Sequence, residues 1–199
     1  MIKKARSTGV GASVGAILVG GRSTRMGKPK GRIEIAGESL IARAVRVCEE
    51  ADLEAVFVGE SRSYDGLLET VPRIEDVPLG AGPLGGLHGA LRYASGRGVV
   101  LLAVDMPYVT AAVLNKVCDT ASATSADVLA ARRNDALGWE PMLAFYESSR
   151  VIRAVDDALA DGVRWFQRLF ERLNVRELLR TDELDRALTD WDTPDDIEL

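Results

Sequence analysis

The chain has 199 residues, 47% of them hydrophobic, and a formal net charge of −5. That length suits one domain with a sizeable core, and the acidic balance excludes a general nucleic-acid surface while allowing local basic patches. No apolar run reaches the length of a bilayer span, so no membrane segment is expected.

The first twelve residues read as a flexible tail, followed by a single domain over residues 13–199. Lys3, Lys4 and Arg6 ahead of Val10–Leu18 have the outline of an export signal. That run is Gly-rich, weakly apolar and passes straight into a charged loop, so a cytoplasmic protein is expected. Residues 14–19 read as a buried strand and 32–35 as a brief extended piece. Ser39 is placed to cap a helix with the apolar stripe Leu40, Ile41, Ala44, Val45 and Cys48. Residues 55–58 form a second buried strand and 71–75 a weaker third. Gly82-Pro83-Leu84-Gly85-Gly86 reads as a turn leading into a helix that runs to about residue 94. Residues 99–104 are continuously apolar, as in a parallel sheet covered on both faces. A helix over 110–121, strands over 127–131 and 142–145, and a helix over 151–159 follow. Val163, Phe166, Leu169, Phe170 and Leu173 mark one more amphipathic helix. Strands alternating with helices predict a three-layer α/β domain with a mostly parallel sheet. Cys48 and Cys118 fall in predicted helices with no CxxC pairing, so both read as buried, reduced thiols.

The loop after the first strand carries the chemistry. Between Gly20 and Lys30 stand glycines, hydroxyls and the cations Arg22, Arg25, Lys28 and Lys30. Glycines let backbone N–H groups converge on anionic oxygens, and the cations neutralise the remaining charge, so the loop is suited to polyphosphate. It is not a Walker loop, because five residues separate Gly21 from Gly27 and Pro29 follows Lys28. A Rossmann fingerprint fails as well: Val14 stands where the third glycine after Gly9 and Gly11 is needed.

In such sheets ligands bind beyond the carboxyl ends of the strands, which places Gly20–Lys30, Asp76 and Asp105 at one edge. Asp105, directly after the apolar run, suits Mg²⁺, which takes one or two carboxylates together with phosphate oxygens. A helix cap is the competing role. Asp76 is a candidate ligand-binding acid or an Asx turn into Pro78. Asp192, before Thr193-Pro194, reads first as a helix cap and second as a further metal ligand. His88, the only histidine, reads as a packed or surface side chain. Arg164, Arg168 and Arg172 recur every four residues and read as a solvated face, with a phosphorylated acceptor as the competing partner. Spacing alone gives Trp139-Glu140-Pro141 no role. No Ser-His-Asp order, Cys-His pair or zinc spacing is present. Glycines, cations and carboxylates without a protein nucleophile suit nucleotidyl or phosphoryl transfer.

Leu18-Val19-Gly20-Gly21-Arg22-Ser23-Thr24-Arg25-Met26-Gly27-Lys28-Pro29-Lys30 resembles the signature of the molybdenum cofactor guanylyltransferases. The resemblance continues through Gly82–Leu87, Leu101–Pro107, Glu140–Tyr146 and Asp192-Thr193-Pro194. It implies a Rossmann-like nucleotidyltransferase fold in which GTP binds with Mg²⁺. The phosphate of molybdopterin would attack the α-phosphorus, and pyrophosphate would leave. By position in the motif, Leu18, Val19 and Gly20 would contact the nucleotide and Gly21 would lie beside the phosphates. Lys30, assisted by Arg25, would stabilise charge at the transferring phosphorus. Asp76 would bind the nucleotide, and Asp105 would hold the metal, joined by Asp192. Proteins of cofactor biosynthesis that deliver the pterin are the implied partners.

Gly20-Gly21, where cytidylyl relatives carry Ala-Ala-Gly, favours guanine. The tail Asp190-Trp191-Asp192 resembles those same relatives. A cytidylyltransferase, a sugar-phosphate nucleotidyltransferase and a non-catalytic GTP-binding regulator therefore stand as alternatives.

Overall fold

Strand β1 (Val14–Leu18) runs parallel to β4 (Glu54–Val58) on one side and to β6 (Gly98–Ala103) on the other. The structure, a computed structural model, describes residues 13–19, 29–59, 62–66, 68–77, 80–134, 137–191 and 196. Among them, β5 (Arg73–Ile74) lies parallel to β4. β8 (Ala144–Glu147) is antiparallel to both β6 and β7 (Val128–Ala130), and β9 (Val175–Glu177) is parallel to β7. The sheet order is β5-β4-β1-β6-β8-β7-β9. Every strand except β8 therefore ends at the same edge. Before the first helix, β2 (Glu34–Ile35) and β3 (Glu38–Ser39) make a small separate hairpin.

Side chains alternate across the pleat and fill two cores. On one face Ile17, Phe57, Val100 and Leu102 meet helices α1 (Leu40–Glu50), α3 (Ala111–Ser122) and α6 (Asp182–Ala187). On the other, Val14, Ala16, Val56, Val99 and Leu101 meet α2 (Pro83–Ala94), α4 (Ser148–Ala160) and α5 (Phe166–Phe170). This is the expected three-layer architecture with a mostly parallel sheet. Among the described residues no helix is long and apolar enough to cross a membrane.

Ser39 caps α1 as expected, its hydroxyl accepting from Ala42 N at 3.4 Å. Thr110 caps α3 in the same way, which frees Asp105 from the competing role of helix cap. Four expectations change. Helix α2 starts at Pro83 rather than after Gly86, because proline is well placed in a first helical turn. The strand expected over 142–145 is shifted to Ala144–Glu147, because Leu143 turns the chain at positive φ. The helix expected over 163–173 is confined to Phe166–Phe170. Trp165 is still extended (φ −114°, ψ 130°), and one short turn already buries Phe166, Leu169 and Phe170. Arg32 closes a 3₁₀ turn, Lys30–Arg32, instead of opening an extended piece. Cys48 is buried and Cys118 half-buried, and both are free thiols.

Candidate nucleotide site at the carboxyl edge

The ends of β1, β4 and β6 are knitted together where the ligand is expected. Val19 N–H donates to Val58 O at 3.0 Å, and Val104 N–H donates to Leu18 O at 3.1 Å. Leu18 and Val19 thus lie at the mouth of β1 with their backbone fixed from both sides. Gly20, Gly21, Arg25 and Asp192 lie outside the described residues.

The chain returns to this edge at the Lys30–Arg32 turn. Lys30 Nζ stands 2.6 Å from Asp105 Oδ2, with the two side chains only 17% and 15% exposed. Asp105 reaches this position because β6 ends just before it. Its carbonyl is held by Trp191 N–H at 3.0 Å. Trp191 is itself buried with Ile33 and Leu40, and its ring meets Tyr108 edge-on with centroids 6.2 Å apart. The Arg186 guanidinium covers Tyr108 at 4.9 Å.

Asp76 follows β5 at the other end of the same edge. Burial alone raises the pKa of its carboxyl above the ordinary value. Helix α2 approaches it closely because glycines line that side. A Cβ at Gly86 would stand 2.6 Å from Leu18 Cδ2 and 3.4 Å from Asp76 Oδ1, and one at Gly89 only 2.7 Å from Glu75 O. Val77 N–H donates to Gly85 O at 3.1 Å. Leu18, Asp76 and Gly86 therefore meet at one point, and Lys30 and Asp105 at another. From β5 to β6 the edge spans roughly 14 Å at the usual strand spacing, an extent that suits an elongated nucleotide.

Among the described residues no cluster of three or more His, Cys, Asp or Glu side chains is placed to hold a metal. A Mg²⁺ that keeps waters and phosphate oxygens needs no such cluster, and a mostly buried strand-end carboxylate such as Asp105 fits it.

His88 is buried, as expected of a packed histidine. Its Nδ1 stands 2.7 Å from Val77 O and its Nε2 2.6 Å from Asp156 Oδ1, so it ties α4 to the segment carrying Asp76. The arginine row does not form one helical face. Arg164 bonds the carbonyls of Leu159 and Val163, Arg168 pairs with Glu171, and Arg172 pairs with Asp161. Trp139, which had no expected role, is clasped at both backbone groups by the Gln167 side chain, at 3.0 and 2.8 Å. Arg132 is stacked over its ring at 3.6 Å.

A family model described as the MobA-like NTP transferase domain matches residues 15–177. A probable molybdenum cofactor guanylyltransferase of Opitutus terrae is 32% identical over 96% of this chain and 95% of its own length. One from Methanothermobacter thermautotrophicus is 31% identical over 92% of this chain and 96% of its own. Among solved structures, the molybdopterin-guanine dinucleotide biosynthesis protein A of Archaeoglobus fulgidus superposes with a TM-score of 0.75 at 29% identity. That match covers 91% of this chain and 93% of the other. Together with the sheet edge just described, these matches place the chain in the MobA-like family of nucleotidyltransferases, that of the molybdenum cofactor guanylyltransferases.

Proposed function

We propose that this chain, as one cytoplasmic nucleotidyltransferase domain over residues 13–199, transfers GMP from GTP to the phosphate of molybdopterin. A terminal phosphate oxygen of the acceptor forms a bond to the α-phosphorus. The bond from that phosphorus to the bridging oxygen breaks, and pyrophosphate departs with the electron pair. The observation that carries this reading is the close pairing of Lys30 with Asp105 at the carboxyl edge, in a chain of this family.

The roles follow from chemistry. The Lys30 ammonium neutralises charge that grows on the oxygens around the transferring phosphorus, with Arg25 assisting. Asp105, together with Asp192, would hold a divalent cation, Mg²⁺ in this reading, whose charge offsets that of the triphosphate. Asp76 accepts hydrogen bonds from the nucleoside end. Leu18 and Val19 present backbone and an apolar wall to it, with Gly20 and Gly21 completing the phosphate loop. The half-buried Asp76 supports this role, because a desolvated carboxylate gains most from a donor that arrives with the ligand.

Pyrophosphate release from GTP, CTP, ATP and UTP, with molybdopterin as acceptor, tests the proposal. Turnover with GTP and not CTP is the expected result. Preference for CTP would make the chain a cytidylyltransferase, and binding of GTP without turnover would make it a regulator.

A further inference from the structure

Lysine reaches its target on a flexible four-carbon stem, so the placement of its ammonium depends on how firmly its backbone is held. The backbone here is a 3₁₀ turn. Arg32 N–H donates to Pro29 O at 2.9 Å, and Ile33 N–H to Lys30 O at 3.0 Å. Gly31, immediately after Lys30, lies in the first turn, where amides have no acceptor within the helix itself. Its N–H donates to the hydroxyl of Tyr64 at 3.1 Å. Tyr64 comes from the segment between β4 and β5 and is 2% exposed. The fit is close: a Cβ at residue 31 would stand 2.7 Å from Tyr64 Cε1 and 3.0 Å from its hydroxyl. Tyr64 is fixed from behind, because its carbonyl accepts from Arg73 Nη2 at 3.1 Å, and the Arg73 guanidinium stacks on Phe57 at 5.8 Å.

We propose that Tyr64 is the positioning residue of Lys30, its buried hydroxyl holding the Gly31 amide so that the ammonium stays at the mouth of β6. The inference rests on the role given above to Lys30. It extends that role through a line of contacts running from Phe57 and Arg73 through Tyr64 and Gly31 to Lys30 and Asp105.

The test is Tyr64→Phe, which keeps the buried ring and removes the oxygen. Two readouts are taken on the full chain. One is steady-state turnover of GTP with molybdopterin. The other needs no turnover: brief acetylation by an N-hydroxysuccinimide ester, read by peptide mass at Lys30, with the exposed Lys116 as control. The variant is expected to lower kcat about tenfold while KM for GTP stays within about twofold, since displaced groups lose rate more than affinity. Acetylation of Lys30 is expected to quicken by at least about threefold as its pairing with Asp105 loosens, with Lys116 unchanged. Unchanged acetylation of Lys30 in a folded variant overturns the proposal, and so does faster acetylation with unchanged kcat. A wild-type chain that never turns over GTP or another nucleotide sinks the functional reading instead, and acetylation alone then decides the role of Tyr64. Should Tyr64→Phe fail to fold, Arg73→Lys removes the guanidinium behind Tyr64 without altering its ring. Quicker labelling of Lys30 in that variant supports the proposal, and unchanged labelling overturns it.

Discussion

Lys30 and Asp105 neutralise one another at 2.6 Å across the mouth of β6, although they lie far apart in sequence. In the proposed reaction the cation serves the phosphates and the carboxylate serves the metal. Ligand binding must therefore exchange this internal pair for two new ones. The pairing keeps two mostly buried charges compensated until the triphosphate arrives, which limits the desolvation cost of holding them ready.

Removing either partner has separable effects on rate. Lys30→Ala is expected to lower kcat by about 10²–10³, comparable to losing one preorganised transition-state donor. Asp105→Asn is expected to abolish the Mg²⁺ dependence of the remaining activity, because the amide lacks the charge the ion needs. Pyrophosphate release measured over a Mg²⁺ titration checks both. Near-normal turnover in Lys30→Ala would remove it from the chemistry.

Stability should show the same coupling. Each single variant removes the paired counter-charge from a mostly buried group, whereas Lys30→Ala with Asp105→Asn removes both charges together. The double variant is expected to melt above at least one of the singles. Strictly additive losses in thermal melts would mean that the pair contributes nothing to the ligand-free fold.

Asp76 sets function against stability. Its carboxyl pKa is raised by burial, so the folded state holds its proton to higher pH than the unfolded chain does. The folded state is thus favoured at low pH, and that advantage disappears as pH rises through the folded pKa. Asp76→Asn is accordingly expected to raise Tm at pH 7 and to lose this advantage as the pH is lowered through the acid range. The same substitution is expected to raise KM for GTP. A variant with lower Tm at pH 7 would contradict the burial argument.

His88 holds the Asp76 segment through two contacts, one with the Val77 carbonyl and one with the Asp156 carboxylate. His88→Ala removes a buried side chain and both of its contacts, a loss of about 0.5–1.5 kcal/mol for each hydrogen bond. Denaturant melts should show that loss. KM for GTP should rise with kcat nearly intact, and a change confined to kcat would place His88 in the chemistry instead.

The two thiols should react very differently. Burial, with Cys118 and Glu49 nearby, pushes the Cys48 thiol up to about 12, while Cys118 is only half-buried. A thiol-exchange reagent applied to the native protein is expected to modify Cys118 first and Cys48 only on unfolding. Prompt modification of both would mean that α1 opens easily.

Much of this fold is legible in the sequence, because its central strands β1, β4 and β6 are largely apolar runs and helix α1 begins at a cap residue. Val99–Val104 could hardly be anything but a covered strand, and Ser39 marks a helix start by its hydroxyl. Asp76 and Asp105 were legible for a topological reason: each follows a strand, and parallel strands end at one edge. The helix expected over 163–173 fails because periodicity reports which side chains are buried and not how long the helical backbone persists. Trp165 stays extended while the same apolar residues pack. Tyr64 gave no signal at all. A single tyrosine in a polar stretch carries no pattern, and its meeting with Gly31 depends on long-range packing. The same holds for Trp191, whose amide finds Asp105 only once the sheet has formed.

The Trp191 contact means that the backbone of Asp105, whose carboxylate is proposed for the metal, is buttressed from a distant stretch of the polypeptide. A Trp191→Pro substitution, which removes the amide donor, would strip out that prop while sparing every residue of the glycine–cation motif and both acids proposed for the metal. Such damage would look like a catalytic defect although no reacting group had been touched.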